Sequence, residues 1–273
     1  MGKSTTEKIA LALRGFDAAI ITGASSGIGA ALLRCVFEFS NARIFAVSRT
    51  PPQIRNPRVE HAAADLSDGA QLCAAAEKIV GEISSSIPRP KILLINNAGF
   101  GAYGEFPEPS LGRNLEMIDL NVKAPVALCG KFLPLMGRGS AIVNIASTAA
   151  FQPCPQLAVY AATKSFVASF TLGISDELRS AGVRCVCVCP GPTSSNFFRA
   201  AGFDSPPLPA GFGHVPEDVA RAALLALGRG SPLTVVGALN KIQTVLVRLL
   251  PIVPALRLSG LILRKIRSVK PRA

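Results

Sequence analysis

Two kinds of apolar pattern alternate along the chain. Short, continuous apolar runs rich in β-branched residues recur at Ala18–Ile21, Ile44–Ser48, Val59–Ala63, Ile92–Asn96, Ala141–Ile145, Arg184–Cys189 and Thr234–Val236. Longer stretches with helical periodicity lie near 28–39, 67–81, 111–136, 157–181 and 216–228. A strand that is apolar on both faces must be covered on both faces, and a helix after each strand provides the cover. The pattern therefore predicts a single α/β domain over residues 1–237, doubly wound about a parallel sheet. Such folds bind ligands at the carboxyl ends of their strands, so the residues just after each strand carry the functional information.

Two stretches break the rhythm. Residues 193–215 are rich in Pro, Gly and Phe, and long irregular loops in compact domains are often lids. Phe197, Phe198, Phe203 and Phe212 within this stretch fit an apolar substrate or a miniature core of the lid itself. Residues 238–273 form a basic tail with two apolar segments, 238–250 and 255–267, set apart by Pro251 and Pro254.

Composition narrows the class. At 273 residues, 49% apolar and 17% charged, the chain suits a packed core and not disorder. The net charge of +12 is mostly a property of the tail, which holds eight Lys or Arg and no acid. With no zinc-finger spacing and no aromatic–basic ladder, nucleic acid is not an expected partner. The seven cysteines are odd in number, and Cys185, Cys187 and Cys189 alternate along one strand, a spacing that chelates a metal poorly. They read as small buried hydrophobes in a reducing compartment, with no metal site. No N-terminal stretch reads as a signal peptide, and the expected location is cytoplasmic.

The first strand runs into TGASSGIG, Thr22 to Gly29, and then a helix. Glycines at 23, 27 and 29 permit a tight turn and close approach of a pyrophosphate, and the helix N-terminus offers N–H donors. Ser25, Ser26 and Ile28 complete this candidate cofactor loop. An acid at the end of the second strand would mark NAD; Ser48 and Arg49 stand there instead, and a guanidinium suits the 2′-phosphate of NADP(H). Asp65 and Leu66 follow strand three, where the carboxylate meets an adenine amino group or caps the next helix. Asn97, Ala98 and Gly99 close strand four, and Pro190 and Gly191 close strand six.

Tyrosine is scarce, with two in the chain, and Tyr160 stands one helical turn before Lys164. A free phenol titrates near ~10 and is a poor base at neutral pH. A cation one turn away, on the same helix face, favours the phenolate. Ala161, Ala162 and Thr163 between them leave room for a flat ring and a sugar. Ser147, at the end of the strand IVNIAS, offers a hydroxyl to a substrate carbonyl. Asn121 places an amide inside a helix, where Asn is a poor choice for stability.

Together these motifs resemble the short-chain dehydrogenase/reductase family over roughly residues 16–237, with closest likeness to its bacterial DltE-like subgroup. The resemblance implies a seven-stranded Rossmann sheet and hydride transfer between NAD(P)(H) and a carbonyl or alcohol. It makes Tyr160 the general acid/base, with Lys164 lowering its pKa and binding the nicotinamide ribose. It also has Ser147 position the substrate oxygen and Asn121 hold a water in the proton relay. The loop after Gly191 implies carboxamide contacts from Ser195 and Thr193. A homodimer or homotetramer follows from the same likeness.

A cofactor-retaining epimerase or dehydratase is the rival within the fold. Extended relatives of that kind carry a larger C-terminal domain and different glycine spacing. A non-catalytic NADP-binding scaffold would not need the Asn121–Ser147–Tyr160–Lys164 set. The tail has two readings: helices packed on the domain or on a partner subunit, or an interfacial anchor on anionic lipid.

Overall fold

The computed structural model describes residues 2–85, 89–194 and 213–268. Its sheet has seven parallel strands: β1 (Ala18–Thr22), β2 (Arg43–Ser48), β3 (Val59–Ala63), β4 (Ile92–Asn96), β5 (Ala141–Ile145), β6 (Arg184–Cys189) and β7 (Leu233–Val235). They lie in the order β3-β2-β1-β4-β5-β6-β7, so the winding reverses between β1 and β4. The continuous apolar runs arise because both faces are covered: β1, β4 and β5 are buried at every position.

On one face, Leu32, Leu33 and Val36 of α2 (Gly27–Phe39) and Val219, Ala223 and Leu227 of α7 (Pro216–Arg229) meet β1, β4 and β5. This layer also contains α1 (Thr5–Leu13), which the apolar pattern did not predict. It starts from a reciprocal capping box, in which Ser4 accepts the Glu7 N–H and the Glu7 carboxylate accepts the Ser4 N–H. The other face is covered by α3 (Gly69–Ser84), α5 (Ala124–Phe132) and α6 (Ala158–Glu177), with Phe45 and Phe132 among its fully buried side chains.

The stretch expected as one helix over 111–136 is broken. It runs as α4 (Leu111–Ile118), a π-helical turn Asp119–Lys123, α5, and a 3₁₀ turn Leu133–Leu135. The tail forms α8 (Ala238–Leu249) and α9 (Ile252–Ser268). Pro254 lies in the first turn of α9, where its missing N–H has no intrahelical partner to lose.

Candidate active site

At the topological switch point β1 ends on Thr22, whose Oγ1 accepts the N–H groups of Asn97 at 2.9 Å and Ala98 at 3.0 Å. This pins the end of β1 to the end of β4. Gly23 turns the chain at φ +65°, a conformation that disfavours a side chain. A Cβ on Gly29 would stand 2.1 Å from the Gly23 carbonyl oxygen, so the loop and α2 close to a distance only glycine permits. Ser26, the N-cap of α2, makes no side-chain capping bond, and Ser25, Ser26, Gly27 and Ile28 line the cleft. The first-turn N–H groups are thus placed to receive an anion.

The cleft holds about 650 Å³ and runs along the carboxyl ends of the strands. At one end it is bounded by Ser48, Arg49, Asp65 and Leu66. Arg49 is largely exposed and its Nη1 lies 3.5 Å from Asp65 Oδ2. Asp65 does not cap α3. Asp68 does, accepting the N–H groups of Ala70 and Gln71, while Asp65 accepts the Ser67 hydroxyl at 2.6 Å. That bond, with Arg49 nearby, holds the Asp65 carboxyl below its ordinary pKa.

At the other end lie Ser147, Tyr160 and Lys164, with Asn97, Ala98 and Gly99 between. Ser147 follows β5 and caps a 3₁₀ turn, Thr148–Phe151, its Oγ accepting the Ala149 N–H at 3.1 Å. It also forms a side-chain hydrogen bond with Tyr160. Tyr160 and Lys164 are both buried on the inner face of α6. Lys164 Nζ donates to the Ile145 carbonyl at 3.0 Å and lies 5.8 Å from the centre of the Tyr160 ring.

The electrostatics differ from the simple expectation of a cation drawing the phenol toward neutrality. Burial dominates and pushes Tyr160 up to about 12, with the Ser147 hydrogen bond pulling the other way. Burial also brings Lys164 down to about 8. Cys154 lines the same cleft, but burial lifts its thiol to about 11, so it stays protonated and un-nucleophilic near neutral pH.

The π-helical turn explains the amide in the helix. Asn121 Nδ2 donates to the Phe100 carbonyl at 2.9 Å and to Thr163 Oγ1 at 3.1 Å, and Oδ1 accepts the Phe100 N–H at 3.1 Å. The widened turn aims Asn121 across the gap between β4's exit and α6. A Cβ on Gly99 would meet its Oδ1 at 2.8 Å and Lys164 Nζ at 3.4 Å, so Gly99 lets these groups converge. Pro190, Gly191 and Thr193 also line the cleft, and Thr193 Oγ1 donates to the Gly191 carbonyl at 3.1 Å. Ser195 and the four lid phenylalanines lie outside the described residues.

Several lining residues escaped the sequence reading. Gln243, Thr244 and Val247 of α8 and Ser259 and Leu263 of α9 form part of the cleft wall. Asn240 packs onto the backbone after β6, its Nδ2 2.4 Å from where a Cβ on Gly191 would stand. The only advance signal was the absence of a Cβ at Gly191, which permits that approach.

Residues 17–204 match the short chain dehydrogenase family, and the chain belongs to it. Sulfoacetaldehyde reductase 2 of Chromohalobacter salexigens is 32% identical over 198 residues, 66% of this chain and 74% of that protein. Several other relatives match over only 32–60% of their own length. Among solved structures, a short-chain dehydrogenase from Sphingobium yanoikuyae in complex with NADPH superposes with a TM-score of 0.69 at 26% identity, covering 94% of this chain and 98% of that one. A 3-ketoacyl-(acyl-carrier-protein) reductase from Brucella melitensis, complexed with NADH, gives 0.68 at 25% identity over 83% and 97%. The family consists of oxidoreductases that bind nicotinamide cofactors, and the glycine cradle, the open α2 N-terminus and the length of the cleft fit such a group.

Proposed function

We propose that the protein is an NADP(H)-dependent carbonyl reductase acting on an apolar ketone or aldehyde. The observation that carries this reading is the half-buried Ser147 hydroxyl bonded to the buried Tyr160, one helical turn from the buried Lys164, at the inner end of the cleft. The reduced nicotinamide supplies a hydride to the carbonyl carbon when bound. The chain's own residues do the rest. Ser147 and Tyr160 both donate hydrogen bonds to the carbonyl oxygen, and Tyr160 releases its proton to that oxygen as negative charge develops. The phenol, held up by burial, is protonated near neutral pH, as the acid role in carbonyl reduction requires. Lys164, its Nζ beside Gly99, stabilises the phenolate left behind and faces a ribose at that position. Asn121 fixes Phe100 and Thr163 around the pair.

NADP(H) over NAD(H) is supported by Arg49, which stands exposed at the end of β2 and lines the cleft. Relatives of this fold are bound to either cofactor, so the residue argues the preference and not the fold. The test follows NADPH absorbance with a panel of hydrophobic ketones and aldehydes, comparing wild type with Tyr160→Phe. The phenylalanine variant should bind NADPH normally and lose about 10²-fold or more of its turnover. Substantial turnover by Tyr160→Phe would refute the acid assignment.

A further inference from the structure

The two tail helices are amphipathic in the reverse sense. An amphipathic helix on a globular domain normally turns its apolar stripe inward. Here the fully buried and hydrogen-bonded residues of α8 and α9 are polar or small, with Val247 and Leu263 as the apolar residues turned to the cleft: Thr244 is buried, Ser259 is buried with its Oγ donating to the Pro153 carbonyl at 2.8 Å, and Asn240 Nδ2 donates to the Val236 carbonyl at 2.7 Å. Arg248 lies over the Phe151 ring at 4.7 Å and Tyr103 donates to the Leu263 carbonyl at 3.3 Å. The helices are thus fastened to the body by their polar side.

The apolar side faces out. Leu239, Ile242, Leu246 and Leu249 share one face of α8 and are 57–76% exposed. Ile252 at 68% and Leu261 at 66% continue the surface onto α9. Among the described residues, eleven of the nineteen exposed large apolar side chains fall between Leu239 and Leu261. Scattered exposed leucines need no explanation, but a cluster of this size does.

Charge identifies the occupant. Arg257 and Arg264 are exposed and flank Leu261 on the outer side of α9, while Lys241 borders the apolar face of α8. The tail carries eight cations and no acid, so a second copy seated on this face would set like charge against like. An anionic bilayer offers both an apolar phase and the opposite charge. Among the described residues no helix is long and apolar enough to cross a membrane, which leaves the interfacial mode. We infer that the outer face of α8 and α9 docks the protein peripherally on an anionic membrane surface, apolar side chains in the acyl boundary and cations at the headgroups. The opposite face of the same helices lines the cleft, so docking places α8 and α9 between the active site and the lipid surface.

The experiment sediments the full-length protein with phosphatidylcholine vesicles and with phosphatidylcholine–phosphatidylserine vesicles, at low and high salt. It includes Leu246→Asp/Leu249→Asp and Arg257→Glu/Arg264→Glu, whose sites are exposed, with circular dichroism melts to verify folding. Binding should require the anionic lipid, fall with salt and drop about tenfold or more in each variant, since each cation is worth roughly fivefold in partitioning. NADPH binding should be unchanged in both variants, so a failed docking result leaves the catalytic reading standing. Full-length protein that stays in the supernatant with anionic vesicles at low salt overturns the inference. So does a lipid-free oligomer, seen by ultracentrifugation, that Leu246→Asp/Leu249→Asp dissociates, because a second copy then covers the face.

Discussion

Lys164 should be a stability liability that the site retains for its chemistry, and Lys164→Met tests this. The ammonium is buried and donates a hydrogen bond to a neutral carbonyl, that of Ile145 at 3.0 Å. Burial brings it from 10.5 to about 8, and at ~1.4 kcal/mol per pKa unit the charged form costs on the order of 3 kcal/mol in the folded protein near neutral pH. Methionine keeps the length and removes the charge. It also removes the bond to Ile145, which offsets about 1 kcal/mol. The net expectation is a variant more stable by about 2 kcal/mol, a rise in Tm of roughly 4–8 °C for a chain of this size. The pH dependence gives a second handle. The folded-state pKa lies below the unfolded one, so between about 8 and 10.5 the unfolded chain holds more protons. Wild type therefore gains stability as pH rises through that window, and the advantage of the variant shrinks. Thermal melts of ligand-free wild type and Lys164→Met near pH 7 and near pH 9.5 measure both effects. A variant that melts below wild type at neutral pH, or a gap that does not narrow on the alkaline side, refutes the reasoning.

Two further substitutions probe the cofactor end. Gly29→Ala places a Cβ 2.1 Å from the Gly23 carbonyl, and backbone cannot yield as a side-chain tip can. It should cost roughly 1–3 kcal/mol of stability and at least tenfold in NADPH affinity, read by melts and fluorescence titration; wild-type values would show that the loop relaxes. Arg49→Ala removes an exposed guanidinium paired only at 3.5 Å with Asp65, so stability should hold within about 0.5 kcal/mol. Its NADPH-to-NADH affinity ratio should fall toward unity, and an unchanged ratio would remove Arg49 from the recognition of the 2′-phosphate.

The sheet was legible because strands apolar on both faces leave few alternatives. All seven predicted runs became strands, within a residue or two at their ends. The cleft residues were legible because the fold gathers strand ends, and Gly23, Asn97, Ser147 and Gly191 are all strand-end residues. Two features were not legible for physical reasons. A π-helical turn at Asn121 has almost the same apolar spacing as the α-helix around it, and its cause is tertiary: the Phe100 backbone and Thr163 both claim the amide. The orientation of α8 and α9 escaped because an amphipathic pattern tells that a helix has two faces and not which one packs inward. The capping box at Ser4 and Glu7, by contrast, is written in the sequence and marks α1 by a three-residue spacing that apolar periodicity does not register.

The polar face of α6 shows how the liability at Lys164 is confined. Thr171 is bonded both ways, accepting from Asn144 at 2.8 Å and donating to Val167 at 2.6 Å, and Asn144 in turn accepts from Asn96 at 2.8 Å. This thread ties β4 and β5 to the distal part of the helix. Thr163 is likewise held, by Asn121 and by the Tyr160 carbonyl at 2.7 Å. The neutral polar groups of α6 are thus largely satisfied within the protein, as burial demands. The cation is different: one neutral carbonyl compensates a buried charge only in part. A ligand that brings hydroxyl oxygens to Lys164 recovers some of that penalty, whereas one that stops at the α2 N-terminus does not. Binding energy is therefore weighted toward the end of the cleft where Ser147 and Tyr160 stand, so a ligand seated there is held against the phenol proposed as its proton donor.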